Sequence, residues 1–129
     1  MTISNFEDME IWQLARDLCR AIYQVTKTQD FQDDMRFRSQ IRAAAGSIMD
    51  NIAEGFERDG KKEFIQFLYI AKGSCGEVRS QLYRALDANY ISDSQCNLLV
   101  NQTKTIGVKI VNLINYLKQT EISGKKFKE

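Results

Sequence analysis

Residues 40–77, QIRAAAGSIMDNIAEGFERDGKKEFIQFLYIAKGSCGE, decide the fold. Ile41, Ala45, Ile48, Ile52 and Phe56 recur at the spacing of one helical face. Gly55, Asp59 and Gly60 interrupt that period, and Phe64, Phe67, Leu68, Ala71, Cys75 and Val78 resume it. Two helical patterns around a glycine-marked turn predict an αα-hairpin. Charge gathers at the turn, in Glu54, Glu57, Arg58, Asp59, Lys61, Lys62 and Glu63, without a constellation that resembles a catalytic centre.

Working outward, Ser4 and Glu7 have the spacing of a capping box, and Ile11, Leu14, Ala15, Leu18, Ile22 and Val25 follow as one stripe. Met9, Trp12, Cys19 and Tyr23 form a second stripe, so this first helix, running to about Lys27, carries a wide apolar surface. Residues 28–34 are polar enough for a loop, with Asp30 or Asp33 as cap of a second helix from about Asp34 to Phe56. A third helix is expected from about Lys61 to Ala88, opened by Gly60 with Glu63 at the capping position. Ser92 and Gln95 form another capping box, and a fourth helix then runs to about Gln119 with Leu99, Ile106, Ile110, Leu113 and Leu117 as its core stripe. Val100, Val108, Val111 and Ile114 widen that stripe.

Four long helical patterns joined by short turns predict an all-α, antiparallel up-down-up-down four-helix bundle. Residues 1–120 form its single domain in this reading, and residues 121–129 a short charged tail. One face needs a special reason. Gly73 and Gly76 lie inside the third helix, where each costs about 1 kcal/mol against alanine. With Tyr69, Ser80 and Tyr83 they define a closely packed second face, against either another helix of the bundle or a neighbouring subunit.

The 129 residues, 43% hydrophobic and 27% charged, suit one globular domain. Net charge is +1 but unevenly spread. Residues 1–35 carry three basic and seven acidic groups, residues 36–84 nine and six, and residues 85–129 six and four, so the basic excess starts at the central hairpin. There is no histidine, which excludes Ser-His-Asp and Cys-His nucleophiles and histidine metal motifs, and no proline, which leaves long helices uninterrupted. Cys19, Cys75 and Cys96 are odd in number and set in apolar patterns, so buried thiols are expected rather than disulfides or a zinc site. With neither a signal peptide nor an apolar run of membrane-spanning length, the expected location is the cytoplasm.

Gly55-x-x-x-x-Gly60-Lys61 follows most of the phosphate-loop pattern, but Lys62 stands where a magnesium-binding Ser or Thr belongs, and the preceding segment is helical. No cofactor, metal or catalytic residue is expected, and the protein is expected not to be an enzyme. Arg38 and Arg42 share a helical face, and Arg58, Lys61 and Lys62 cluster at the hairpin tip. These five are the candidate phosphate-contacting residues, and a modest patch repeated around an oligomer would sum to a strong field.

Residues 47–58, SIMDNIAEGFER, and 62–77, KEFIQFLYIAKGSCGE, closely resemble the four-helix bundle protein family, also called the 23S rRNA-intervening-sequence proteins. Residues 9–15, MEIWQLA, and 22–26, IYQVT, resemble that family's opening helix. The matched motif falls on Gln40, Arg42, Ser47, Asn51, Ala53, Glu54, Gly55, Arg58, Glu63, Phe64, Phe67, Ala71, Gly73, Ser74 and Glu77. Met49 stands where members usually have proline, and Gly60 replaces a usual Ser or Thr cap. The resemblance implies a small bacterial bundle that assembles as a homopentamer, with a function generally unassigned. Similar bundles are accessory proteins of retroelements that bind nucleic acid and a reverse transcriptase. The leading expectation is therefore a non-enzymatic oligomer that binds RNA, DNA or a nucleoprotein partner; the alternative is a protein-binding scaffold without a nucleic-acid role.

Overall fold

A computed structural model describes residues 3–120, so the tail expected over 121–129 lies outside the described residues. After a single 3-10 turn at Phe6–Asp8 come helices α1 (Glu10–Val25), α2 (Gln29–Asp33), α3 (Met35–Glu57), α4 (Lys61–Asp87) and α5 (Asp93–Gln119). Among the described residues there is no strand, and the all-α class is what the periodicity predicts.

Contacts between the long helices form a closed cycle: α1 packs on α3, α3 on α4, α4 on α5, and α5 back on α1. Paired residue numbers run in opposite senses. Between α3 and α4, the hydroxyls of Ser47 and Ser74 meet at 3.0 Å, and the Arg84 guanidinium stands 4.4 Å over the Phe37 ring. Between α4 and α5, Cys96 Sγ donates to the Leu82 carbonyl at 3.8 Å, and Lys118 Nζ donates to the Tyr69 hydroxyl at 2.8 Å. Lys109 pairs with Glu10 at 3.0 Å across α5 and α1. The α3–α4 and α4–α5 pairs are thus antiparallel, and the helices surround one continuous core whose largest fully buried side chains include Phe31, Phe56, Phe64, Met9 and Leu18.

Two boundaries differ from the sequence expectation. Ser4 and Glu7 do not cap α1; Phe6–Asp8 forms its own turn, and α1 starts at Glu10 without a side-chain cap. Burial explains the choice. Met9 is driven into the core, Phe6 packs edge-on against Trp12 at 5.3 Å, and the Gln13 amide donates to the Glu7 carbonyl at 3.0 Å. The stretch expected as a loop holds the one-turn α2, because Phe31 is fully buried against Phe37 and Tyr90. The cap of α3 is consequently Asp34 rather than Asp30 or Asp33: its carboxylate accepts from the Phe37 amide at 3.4 Å and from the Tyr90 hydroxyl at 3.0 Å.

The other two ends follow local chemistry. Both halves of the Ser92–Gln95 capping box are made, at 2.9 and 3.1 Å. At the end of α4, Asn89 takes φ 62°, and the amides of Tyr90 and Asn89 return to the carbonyls of Ala85 and Leu86. That pair of bonds closes a helix whose last carbonyls would otherwise lack donors, and asparagine tolerates the left-handed conformation it needs.

Candidate nucleic-acid interface

The α3–α4 hairpin positions the basic tip through close packing. Gly55 is buried against the first turns of α4, where an added Cβ would lie 2.6 Å from Phe67 Cβ and 3.1 Å from Phe64 Cδ1. Phe56 and Phe64 pack edge-to-face at 5.9 Å beneath the turn. With no side chain at Gly55 the chain reverses tightly between Glu57 and Lys61. Arg58 then lies over the Phe67 ring at 5.1 Å and pairs with Glu54 at 3.7 Å, both charges half exposed. Such a surface pair contributes roughly 0–1 kcal/mol, so it leaves the guanidinium largely available. Lys61 donates to the Thr120 carbonyl at the end of α5, and Lys62 is exposed.

Arg38 and Arg42 are not at this tip. Sixteen residues separate Arg42 from Arg58 along α3, roughly 24 Å of helix. The two arginines also differ in role. Arg42 Nε donates to Thr26 Oγ1 at 2.8 Å, a second nitrogen reaches the Tyr23 carbonyl at 3.5 Å, and the guanidinium stacks 4.4 Å from the Tyr23 ring. It is a strut between α3 and α1. The Arg38 side chain, partly exposed, makes no hydrogen bond or ion pair to any described residue. One chain thus brings Arg58, Lys61 and Lys62 together and holds Arg38 and Arg42 apart from them.

Most of the family motif is structural. The Asn51 amide donates to the Ser47 carbonyl at 2.7 Å and its hydroxyl at 2.9 Å, and that hydroxyl meets Ser74, forming a small polar knot between α3 and α4. Phe64 is in the core and Phe67 is half-buried under Arg58, while Glu63 folds back over Gly60. Gln40, Glu54, Gly73 and Glu77 are exposed.

Among the described residues, no helix closes over the face of Tyr69, Gly73, Gly76, Ser80 and Tyr83, which α5 only flanks. Tyr69 and Tyr83 are each 48% exposed, and a Cβ at Gly73, Gly76 or Gly107 would meet nothing within 4 Å. Between α4 and α5 these glycines border a concavity of about 390 Å³. Lys72, Arg79 and Lys104 line it, and no carboxylate does. Lys72 and Arg79 are two of the nine basic residues within 36–84 and were not among the five candidates, while Lys104 belongs to α5, and only tertiary pairing brings it alongside.

The thiols sit in poor environments for ionisation. Burial pushes Cys75 up to about 12 from its usual 9.0, with nearby Arg79 opposing the shift. Cys19 and Cys96 are raised as well, by burial first and by Asp50 or by Asp93 and Asp87 second. All three are free, and thiols held protonated are poor nucleophiles and poor metal ligands. Among the described residues no helix is long and apolar enough to cross a membrane.

The fold defines an all-α helical protein with a closed cycle of four long helices. The chain belongs to the 23S rRNA-intervening sequence protein family, whose pattern matches residues 7–112. The fold is similar to the crystal structure of a protein of unknown function from the S23 ribosomal protein family of Bacteroides thetaiotaomicron. That likeness has a TM-score of 0.74 at 21% identity, covering 81% of this chain and 97% of the other. No curated protein matches the chain.

Proposed function

We propose that the protein is a non-enzymatic oligomeric bundle that binds nucleic acid or a nucleoprotein through its basic surface. The observation that carries this reading is the pairing of charges. Among the described residues, carboxylates reach only Arg20, Arg58 and Lys109, whereas Arg38, Lys61, Lys62, Lys72, Arg79, Lys104 and Lys118 have no acidic partner. Residues 36–84 hold nine basic against six acidic groups, so most of these unpaired cations belong to a locally basic stretch, and phosphate is the ligand that such groups suit. The family's name refers to sequences that intervene in 23S rRNA, which makes RNA the first ligand to test. Assembly, with a pentamer favoured by the family resemblance, would repeat the patch and strengthen the field.

A protein-binding scaffold is the second reading, favoured by the exposure of Met35, Ile70, Leu98 and Val108. Titration of labelled RNA and duplex DNA separates the two, at about 50 and 200 mM salt, where phosphate-driven affinity changes by orders of magnitude. Wild type is compared with the triple variant Arg58→Ala, Lys61→Ala, Lys62→Ala. Binding that falls with salt and with the triple substitution supports the nucleic-acid reading. Absence of binding to either ligand at low salt replaces it with the scaffold.

A further inference from the structure

We propose that the seam between α4 and α5 is a track for the phosphate backbone of single-stranded nucleic acid, with Lys72, Arg79 and Lys104 as its central contacts. This deepens the nucleic-acid reading above and rests on it. The seam begins at the hairpin tip, where Lys62 is exposed and Lys61 reaches the end of α5. Lys118 comes next, held against Tyr69 by a 2.8 Å hydrogen bond that leaves no acid involved. The concavity with Lys72, Lys104 and Arg79 follows. From Lys62 to Arg79 the helix rises about 26 Å, so the cations form a line rather than a spot.

The glycines give the line its floor. Interior glycine weakens a helix, and internal packing does not require it at Gly73, Gly76 or Gly107, because a Cβ at each would point into open space. What their absence of side chains does provide is close approach of an outside chain to both helix surfaces. A polyanion is favoured as that chain, since Lys72, Arg79 and Lys104 border the concavity and no carboxylate does; Glu77, adjacent to Gly76 in sequence, is not among the lining groups.

Single strands fit better than duplex. A concavity of about 390 Å³ between two helices has room for one extended backbone, whereas a duplex would rest on its edges. Tyr69 lines the concavity, and Tyr83, fourteen residues further, returns close to the same helical face after nearly four turns. Both rings are half exposed, and exposed aromatic rings beside a basic groove stack unpaired bases without regard to sequence.

The test is fluorescence anisotropy with a labelled uridine homopolymer, a thymidine homopolymer and a duplex of equal length, at several salt concentrations. Two variants are compared with wild type: Lys72→Ala with Lys104→Ala, and Gly73→Leu, which fills the floor at a site where the fold has room. Single strands should bind more tightly than duplex. The lysine variant should lose about 1.4 from the log–log salt slope, roughly 0.7 for each phosphate contact removed from a single strand. Gly73→Leu should weaken binding while helix content and sedimentation mass stay unchanged. Duplex binding equal to or tighter than single-strand binding would overturn the proposal. If only the Arg58, Lys61 and Lys62 triple variant loses affinity, the nucleic-acid reading survives and the seam does not. If Gly73→Leu alters sedimentation mass but not affinity, the seam is an interface between copies and the proposal falls. If wild type binds none of the three probes, both readings fall together.

Discussion

Gly55 and Phe67 meet so closely that a Cβ on Gly55 would stand 2.6 Å from the Cβ of Phe67, closer than two such atoms pack. The neighbour is the root of a side chain on a rigid helix and cannot swing aside. Gly55→Ala should therefore force α3 and α4 apart. Overpacking of this kind costs about 1–3 kcal/mol, while the helix itself gains roughly 1 kcal/mol from alanine. The expected net result is destabilisation, read as a lower urea midpoint.

Gly73→Ala should do the opposite. With nothing within 4 Å of the new methyl group, only the backbone term remains, worth roughly 0.5–1 kcal/mol of stabilisation. Urea unfolding of the two variants side by side checks the signs. Equal destabilisation by both would mean that Gly73, like Gly55, is packed against something in solution.

The contrast between these glycines also marks what a sequence exposes. Helix existence is written in repeating apolar residues, and the Phe64–Val78 stripe and the Ser92–Gln95 box read directly as α4 and the start of α5. The two glycine types read alike, because whether a Cβ would collide depends on which helix lies opposite. The same limit hid α2: Phe31 is one apolar residue among polar neighbours, and only its burial against Phe37 and Tyr90 reveals why that turn forms. Arg38 and Arg42 look equivalent at four-residue spacing, yet Thr26 and Tyr23 claim one of them. Lys104 was invisible as a site residue until α5 lay beside α4.

Arg42→Ala should destabilise the fold. It leaves the Thr26 hydroxyl without its guanidinium donor and removes a stacked cation from Tyr23. Loss of a charged hydrogen bond and of a cation–π contact together is worth about 2–4 kcal/mol. Arg38→Ala, which removes no such contact, should stay within about 0.5 kcal/mol of wild type. Thermal or urea unfolding distinguishes them, and any loss of nucleic-acid affinity in Arg42→Ala must be judged against that loss of stability.

Alkaline pH should weaken the fold from about pH 9 upward. The Cys75 thiol is raised in the folded protein to about 12 from 9.0, so the folded form holds its proton where the unfolded form releases it. Below the unfolded value both states are protonated and the group has no effect. Above it, stability falls with pH until the folded value is reached, with a limiting slope of about 1.4 kcal/mol per pH unit. Tyr90 acts in the same direction from its usual 10.0, mainly because its hydroxyl donates to Asp34. Urea midpoints measured from neutral to alkaline pH should decline less steeply in Cys75→Ala, and Tyr90→Phe should lose the part that begins near 10.

Self-association is the prediction with the widest consequence, because the basic patches sum only in an assembly. Leu98 is 65% exposed, Val108 61% and Ile70 51%, on outward positions of α5 and α4. Val108, expected to widen the core stripe of α5, lies two positions from both Ile106 and Ile110 and is exposed, so the core of this chain gives no reason for a β-branched apolar residue there. Single exposed apolar residues are ordinary; several on adjoining helices favour a neighbour. Sedimentation at micromolar concentration should show a mass several times that of the chain, with a pentamer expected from the family resemblance. Val108→Glu with Leu98→Glu should lower that mass while keeping helix content, since burying a carboxylate in an interface is costly and exposing one is not. A wild-type monomer at that concentration would sink the assembly and, with it, the argument that modest patches on one chain become a strong field.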